Sequence, residues 1–396
     1  MVLMIGPPLR ENIITKSERI FERMQRPEES LIGQHVHHAF APPDEARKKG
    51  WTDLDLEDDQ IQSASLELKT GTSLWEVNHV FSSKQGYFTN DLKKYGKEIK
   101  LQDETILQKG KIYVIESFER IGLPENIKVS ADAKSTTGRT GCLCQLLSEE
   151  GRYSSLPNGY GSLFNTKQHV YSFIEPHAFN IILKPLQTRF LQLRFRIEGT
   201  GYLNLEELKN SYGKEKGVNW YINNKKIPLE ETLDENALKM TLSTKRFYKQ
   251  KKTKIPLDLT QKEKYNQNDF FEEIQGNGEA LMEPNTFYLF GTREYIEMGP
   301  YAGHLTRTDT FMESSLFSHF AGLFDPWFKG GITLEMWSPK PILLREGDYI
   351  GKVYIEESLG QVSEKAGYQG AYKNQDAPKL PKIFKSKELK ENKKEG

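Results

Sequence analysis

Only two cysteines occur in 396 residues, Cys142 and Cys144, which excludes a disulfide-built scaffold. The alternation of Cys142-Leu-Cys144 places both thiols on one face of a strand, where buried thiols are the expected reading. No Cys-x-x-Cys or His-x-Glu accompanies them, so zinc-dependent deaminase chemistry is disfavoured and no metal ligands are assigned. Excess charge is also missing. Lys plus Arg and Asp plus Glu are 55 each, so no global field draws the chain to nucleic acid or an anionic membrane, and any anion site has to be built locally. Long apolar runs are absent too. Segments such as Ile181–Leu183 and Ile342–Leu344 fall far short of the roughly 20 residues that cross a bilayer. The start, Met1-Val-Leu-Met-Ile-Gly-Pro-Pro, lacks the basic flank, apolar core and cleavage site of a signal peptide, so a cytoplasmic location is the default expectation.

What is present is a globular composition, with 37% hydrophobic, 11% aromatic and 28% charged residues, at a length that calls for two domains. Residues 1–60 mix a helix expected around Lys16–Met24 with a polar, Pro-containing stretch, and read as an N-terminal extension. From Ile61 the pattern turns to short alternating runs, among them Lys111-Ile-Tyr-Val-Ile-Glu-Ser and Phe190-Leu-Gln-Leu-Arg-Phe, spaced as in a β-barrel or jelly roll. The same grammar returns near Ala280. Gln108-Lys-Gly-Lys-Ile-Tyr-Val-Ile-Glu-Ser-Phe-Glu-Arg-Ile-Gly-Leu-Pro aligns with Glu283-Pro-Asn-Thr-Phe-Tyr-Leu-Phe-Gly-Thr-Arg-Glu-Tyr-Ile-Glu-Met-Gly-Pro, as an internal duplication would. The expected organisation is therefore mainly β: a module over 61–200, a polar connector with short strands over 201–279, a second module over 280–360, and a C-terminal arm with a charged tail over 361–396.

Three clusters could carry chemistry. Ala131-Asp-Ala-Lys134-Ser135-Thr136-Thr137-Gly138-Arg139 sets hydroxyls, glycine and two cations where they could bind phosphate oxygens, although solvated turns share this composition; it lacks P-loop spacing. In His319-Phe-Ala-Gly-Leu-Phe-Asp325-Pro-Trp-Phe-Lys-Gly-Gly-Ile-Thr-Leu-Glu335, an Asp-Pro turn leads into a strand that puts Thr333, Glu335 and Trp337 on one face. A carboxylate among apolar neighbours suits a general acid or base; the alternative is an exposed Glu on the wet side. The third, Gly367-Tyr-Gln-Gly-Ala-Tyr372-Lys373-Asn-Gln375, combines aromatic, amide and cationic groups as a closing arm does, or as a plain tail does.

In this order the clusters resemble the dCTP deaminase branch of the dUTPase superfamily, which has a Ser-Ser-x-x-Arg loop, an Asp-Pro-Gly-Trp turn leading to Leu-Glu-Phe, and a Tyr-x-Asn-Gln tail. The layout is most similar to the longer bacterial form with two fused modules, over roughly Ile61–Phe384. The resemblance implies tandem dUTPase-like modules and hydrolytic deamination of dCTP to dUTP. Glu335, Ser135 and Arg139 would be catalytic, with Lys134, Thr136, Asp325, Tyr372, Lys373 and Gln375 binding substrate. Mg²⁺ would arrive with the triphosphate, no zinc would be needed, and the protein would be a homo-oligomer. The departures are complementary. In the second half the positions of Ser135 and Arg139 read Thr310 and Ser314, and in the first half the position of Glu335 falls near Phe173, with Glu175 beside it, so a composite site is expected. Trp327 replaces the usual Gly after Asp-Pro. A dUTP diphosphatase, a bifunctional deaminase and diphosphatase, or a non-catalytic nucleotide-binding regulator are the alternatives.

Overall fold

The structure, a computed structural model, describes residues 58–60, 62–80, 88–123, 127–149, 155–156, 160, 168–197, 202–308, 316–318, 321–356, 362–365 and 367–385. The expected helix at Lys16–Met24, the N-terminal extension apart from residues 58–60, the tail beyond Lys385, and Thr310, Ser314 and His319 lie outside the described residues.

Short alternating runs form strands, as their burial shows. In the first unit the strands are β1 (Leu66–Glu67), β2 (Thr70–Val77), β3 (Ile112–Ile121), β4 (Ile127–Ala133), β5 (Cys142–Leu147), β6 (Ser155–Leu156), β7 (Gln168–Pro176) and β8 (Leu191–Ile197). They lie in two sheets, one containing β2-β3-β7-β5 and the other β1-β8-β4-β6. The second unit contributes β9 (Ala237–Gln250), β10 (Thr286–Glu297), β11 (Ala302–Arg307), β12 (Phe317–Ser318), β13 (Leu323–Phe324), β14 (Lys329–Ser338) and β15 (Tyr349–Glu356). Its pairing repeats the first: β9-β10-β14-β12 on one side, and β9-β15-β11-β13 on the other. The single strand β9 thus takes the places of both β1 and β2.

The duplication extends to individual hydrogen bonds. The Tyr113 hydroxyl accepts the Gln108 N–H at 2.9 Å, and the Tyr288 hydroxyl accepts that of Glu283 at 3.1 Å. Ser117 donates to the Glu119 carbonyl at 2.7 Å, and Thr292 to that of Glu294 at 2.8 Å. The buried carboxylates of Glu119 and Glu294 each accept a neighbouring strand's N–H, from Lys69 and Thr241 respectively. Register shifts recur at matching places, between Glu116 and Arg120 and between Gly291 and Tyr295.

One expectation is corrected. The supposed connector over 201–279 carries β9, a 14-residue strand at the centre of the second unit, and the fully buried Trp220. Leu238, Met240 and Leu242 point inward while Lys239, Thr241 and Ser243 alternate with them, so abundant polar residues masked an ordinary two-residue period. The module boundary near Ala280 therefore falls inside the second unit.

The first unit's apolar core continues across the junction to Phe287, Leu289, Ala302 and Trp327 of the second unit, a further core lies within the second unit, and the contact between the units turns polar where it nears the site. Arg194 on β8 is fully buried against the second unit. Its Nη1 donates to the Gly303 carbonyl at 3.2 Å and to Glu356 at 2.8 Å, and its Nη2 to the Phe324 carbonyl at 3.1 Å. These partners on Nη1 and Nη2 are what make a charge with no access to water tolerable, although Nε has no hydrogen-bond partner among the described residues.

Candidate active site

The loop after β4 and the strand β14 meet within one chain. Glu335 on β14 is 2% exposed, and its Oε1 lies 4.0 Å from Arg139 Nε. Oε2 has no hydrogen-bond partner among the described residues. Burial pushes the Glu335 carboxyl up to about 8; the Arg139 guanidinium works against this and Asp132 with it. A carboxyl so raised is mostly neutral at pH 7. A Cβ at Gly138 would come 3.0 Å from Ala321 Cβ and 3.3 Å from the Glu335 carboxyl carbon, so glycine lets the loop lie this close without a shift of its neighbours.

The arm closes over this pair. Arg139 Nη1 donates to Gln375 Oε1 at 3.1 Å and to the Lys379 carbonyl at 2.9 Å, while its guanidinium stacks 3.7 Å from the centre of the Tyr372 ring. Such a desolvated cation–π contact contributes about 2 kcal/mol. Gln375 Nε2 donates to the Gly331 carbonyl at 2.6 Å, and the Tyr372 hydroxyl lies 3.3 Å from Thr136 Oγ1. Beyond the site the arm continues into the first core, where Ile383 and Phe384 are buried against Tyr265, Phe270 and Phe271.

The residues enclose a cavity of about 60 Å³, lined among others by Ser135, Arg139, Asp325, Glu335, Tyr372 and Gln375. That holds about two waters, whereas ligand sites occupy roughly 300 to 1,000 Å³. Anything much larger than water enters only when the arm lifts. A wider groove along residues 98–103 and 185–187, about 800 Å³, brings no comparable set of groups together.

Of the residues singled out in the sequence, Ser135, Arg139, Asp325, Glu335, Tyr372 and Gln375 converge on the cavity, and Thr136 holds the Tyr372 hydroxyl. The two lysines do not reach it. Lys134 Nζ is 2.6 Å from Glu67 Oε2, and Lys373 Nζ is 3.4 Å from Gln369 Oε1. The Asp325 carboxyl is raised by burial, opposed by Arg194, and accepts the Ser63 hydroxyl at 3.0 Å.

Trp327, standing where glycine was expected, keeps the glycine-type turn with a φ of 64°. Its backbone N–H donates to the Gly299 carbonyl at 2.5 Å and its indole N–H to that of Val362 at 2.6 Å. The ring packs on Gly367 at the root of the arm, where a Cβ would meet it at 2.4 Å. The turn thus retains its shape at a backbone strain of about 1 to 2 kcal/mol.

Sequence reasoning missed Asp132. Its two oxygens accept the Gly322 N–H at 2.6 Å and the Ala133 N–H at 2.9 Å, which ties the loop of one unit to the segment Ala321–Asp325 of the other; burial raises its carboxyl to about 7. The signal was an acid alternating with Ala131 and Ala133 on a strand. Among the described residues, no helix is long and apolar enough to cross a membrane, and no three His, Cys, Asp or Glu converge.

Comparison with known proteins matches these two units in order. Residues 45–200 fit the model of the 2'-deoxycytidine 5'-triphosphate deaminase N-terminal domain, and residues 220–358 that of dCTP deaminase-like domains. The crystal structure of 2'-deoxycytidine 5'-triphosphate deaminase from Agrobacterium tumefaciens superposes with a TM-score of 0.70 at 25% identity, covering 80% of this chain and 96% of that one. On its sequence, its duplicated fold and these matches, the chain belongs to the dCTP deaminase family of the dUTPase-like superfamily.

Proposed function

We propose that the protein hydrolyses dCTP to dUTP and ammonia at the Arg139–Glu335 cavity. The observation that carries this reading is the buried, neutral Glu335 carboxyl with one oxygen unpartnered, a group able to give and take a proton where water is scarce. Starting neutral, Glu335 donates its proton to cytosine N3, which makes C4 electrophilic. The carboxylate so formed takes a proton from water as the water oxygen bonds to C4. That proton passes to the exocyclic amine, the C4–N bond breaks and ammonia leaves. The proton of the new C4 hydroxyl then restores neutral Glu335, leaving a carbonyl at C4 and a hydrogen on N3.

Ser135 and Arg139 would hold the triphosphate, which would carry Mg²⁺ as part of the substrate. Arg139 leaves Gln375 and the Lys379 carbonyl when the arm lifts, and Lys134 and Lys373 are near enough in sequence to join it. Exclusion of water by the closed arm strengthens each charged contact. Incubation with dCTP and dUTP tests the reading: ammonia from dCTP supports it, pyrophosphate from dUTP alone indicates a diphosphatase, and neither product indicates a nucleotide-binding regulator.

A further inference from the structure

The arm rests on a surface stripped of side chains. Gly331 donates its N–H to the Gln375 carbonyl at 2.9 Å, and a Cβ there would lie 2.9 Å from Ala377 Cβ. A Cβ at Gly291, on the adjacent strand β10 opposite Thr333, would meet the Ala377 carbonyl carbon at 2.8 Å and Pro378 N at 3.0 Å, and one at Gly330 would meet Gln375 N at 3.0 Å. A contact under about 3 Å cannot be kept, so a side chain at Gly291, against backbone, or at Gly331, against the Ala377 methyl, displaces the arm, while Gly330 combines a 3.0 Å approach with a φ of 145° that disfavours any side chain.

The duplication shows what the first unit has in the same place. Arg120 pairs with His169 and Ile121 with Gln168, just as Tyr295 pairs with Gly331 and Ile296 with Gly330. Gly291, Gly330 and Gly331 thus correspond to Glu116, Gln168 and His169. These side chains occupy the surface themselves: His169 Nδ1 is 3.1 Å from Glu116 Oε1, and Arg120 Nε donates to His169 Nε2 at 2.8 Å.

We propose that Gly291, Gly330 and Gly331 form a track on which the arm closes, and that its replacement by Glu116, Gln168 and His169 leaves the chain with a single closable site. The track positions the arm and does not touch substrate. Its effect on turnover rests on the deaminase reading; its effect on the arm does not.

The clashes at Gly331 and Gly291 differ in kind, which supplies the test. Gly331→Ala strikes the Ala377 side chain first, so Ala377→Gly removes its shortest contact and leaves one of 3.1 Å to the Ala377 N that a shift of a few tenths of an ångström accommodates, whereas Gly291→Ala strikes the Ala377 backbone and is not relieved. Neither glycine has a positive φ, so Ala is otherwise compatible with the strand. Hydrogen exchange of peptides covering residues 371–380 in the full chain is the first readout. Each single variant should exchange at least about tenfold faster there, with β10 and β14 unchanged, and KM for dCTP should rise by more than kcat falls. The Gly331→Ala/Ala377→Gly pair should regain protection, and Gly291→Ala/Ala377→Gly should not. Arm exchange unaltered in both single variants, or equal rescue of both by Ala377→Gly, overturns the track. A Glu335→Gln chain should bind one dCTP, and a second site of comparable affinity overturns the single-site clause. Loosened arms in a protein that never deaminates dCTP would support the track and refute the proposed activity.

Discussion

Replacing Glu335 by Gln should abolish deamination and at the same time stabilise the fold, increasingly so as pH rises. In the unfolded chain this carboxyl titrates near 4.5, whereas burial holds it near 8 in the folded protein. Below 4.5 both states are protonated and the wild-type Glu335 costs nothing by this route. Between the two values the unfolded chain releases a proton that the folded one retains, and each pH unit disfavours the wild-type fold by about 1.4 kcal/mol. From 4.5 to 7 that accumulates to about 3 kcal/mol. Above 8 both states are ionised and the penalty levels off. Gln does not titrate, so the stability difference between variant and wild type should climb across this window, while Asp132 and the other acids titrate in both proteins. Urea unfolding midpoints at pH 5, 6, 7 and 8 read this directly, with unchanged m-values required for the comparison. A difference independent of pH would show that Glu335 is not held neutral by burial, and would refute the acid-first order of proton transfer.

Arg139→Ala should weaken dCTP affinity by roughly 10- to 100-fold, the magnitude expected for losing a hydrogen bond to a charged group, as read from KM and direct binding. Because Arg139 and Glu335 meet within one chain, mixing Arg139→Ala with Glu335→Gln under subunit exchange should restore no activity, and complementation would contradict the observed geometry. Dialysis against a zinc chelator should leave deamination intact once Mg²⁺ is restored; recovery only with Zn²⁺ would refute the metal-independent chemistry. Trp327→Gly relieves a left-handed backbone but loses a buried ring, an exchange of about 1 to 2 kcal/mol against roughly 3 to 5, so Tm should fall and the arm should loosen.

Much of this was legible in residue types. The β periodicity, the repeat around Tyr113 and Tyr288, and the clusters holding Ser135, Arg139, Glu335, Tyr372 and Gln375 are all local patterns. What local patterns do not carry is the second unit's surface. Alternation put Glu335 on a strand face that could equally be wet, and it is dry because the other unit's loop covers it. Arg194 alternates with Leu193 and Phe195 as a solvent-facing residue would, yet it is fully buried between the units. Lys134 and Lys373 were assigned by charge, and the partners that draw them aside, Glu67 and Gln369, are distant or across a turn. The three track glycines look like strand irregularities until the arm lies on them.

The distribution of losses between the two halves follows from the way a site is assembled. The site described here takes its loop from one unit and its carboxylate strand from the other, as Arg139 and Glu335 show, and the pseudo-symmetry of the duplication makes its twin do the reverse. The twin site would join the second unit's loop to β7, where Phe173 pairs with Val114 as Glu335 pairs with Leu289. Phe173 in place of the carboxylate, Thr310 and Ser314 in place of the loop residues, and Glu116, Gln168 and His169 in place of the glycines all fall on that twin. Had each unit housed its own site, the same substitutions would have broken both. Because loop and carboxylate come from opposite units, they damage one site repeatedly and leave the other whole, while the decayed half keeps supplying Arg139, Asp132 and Arg194 to the site that remains.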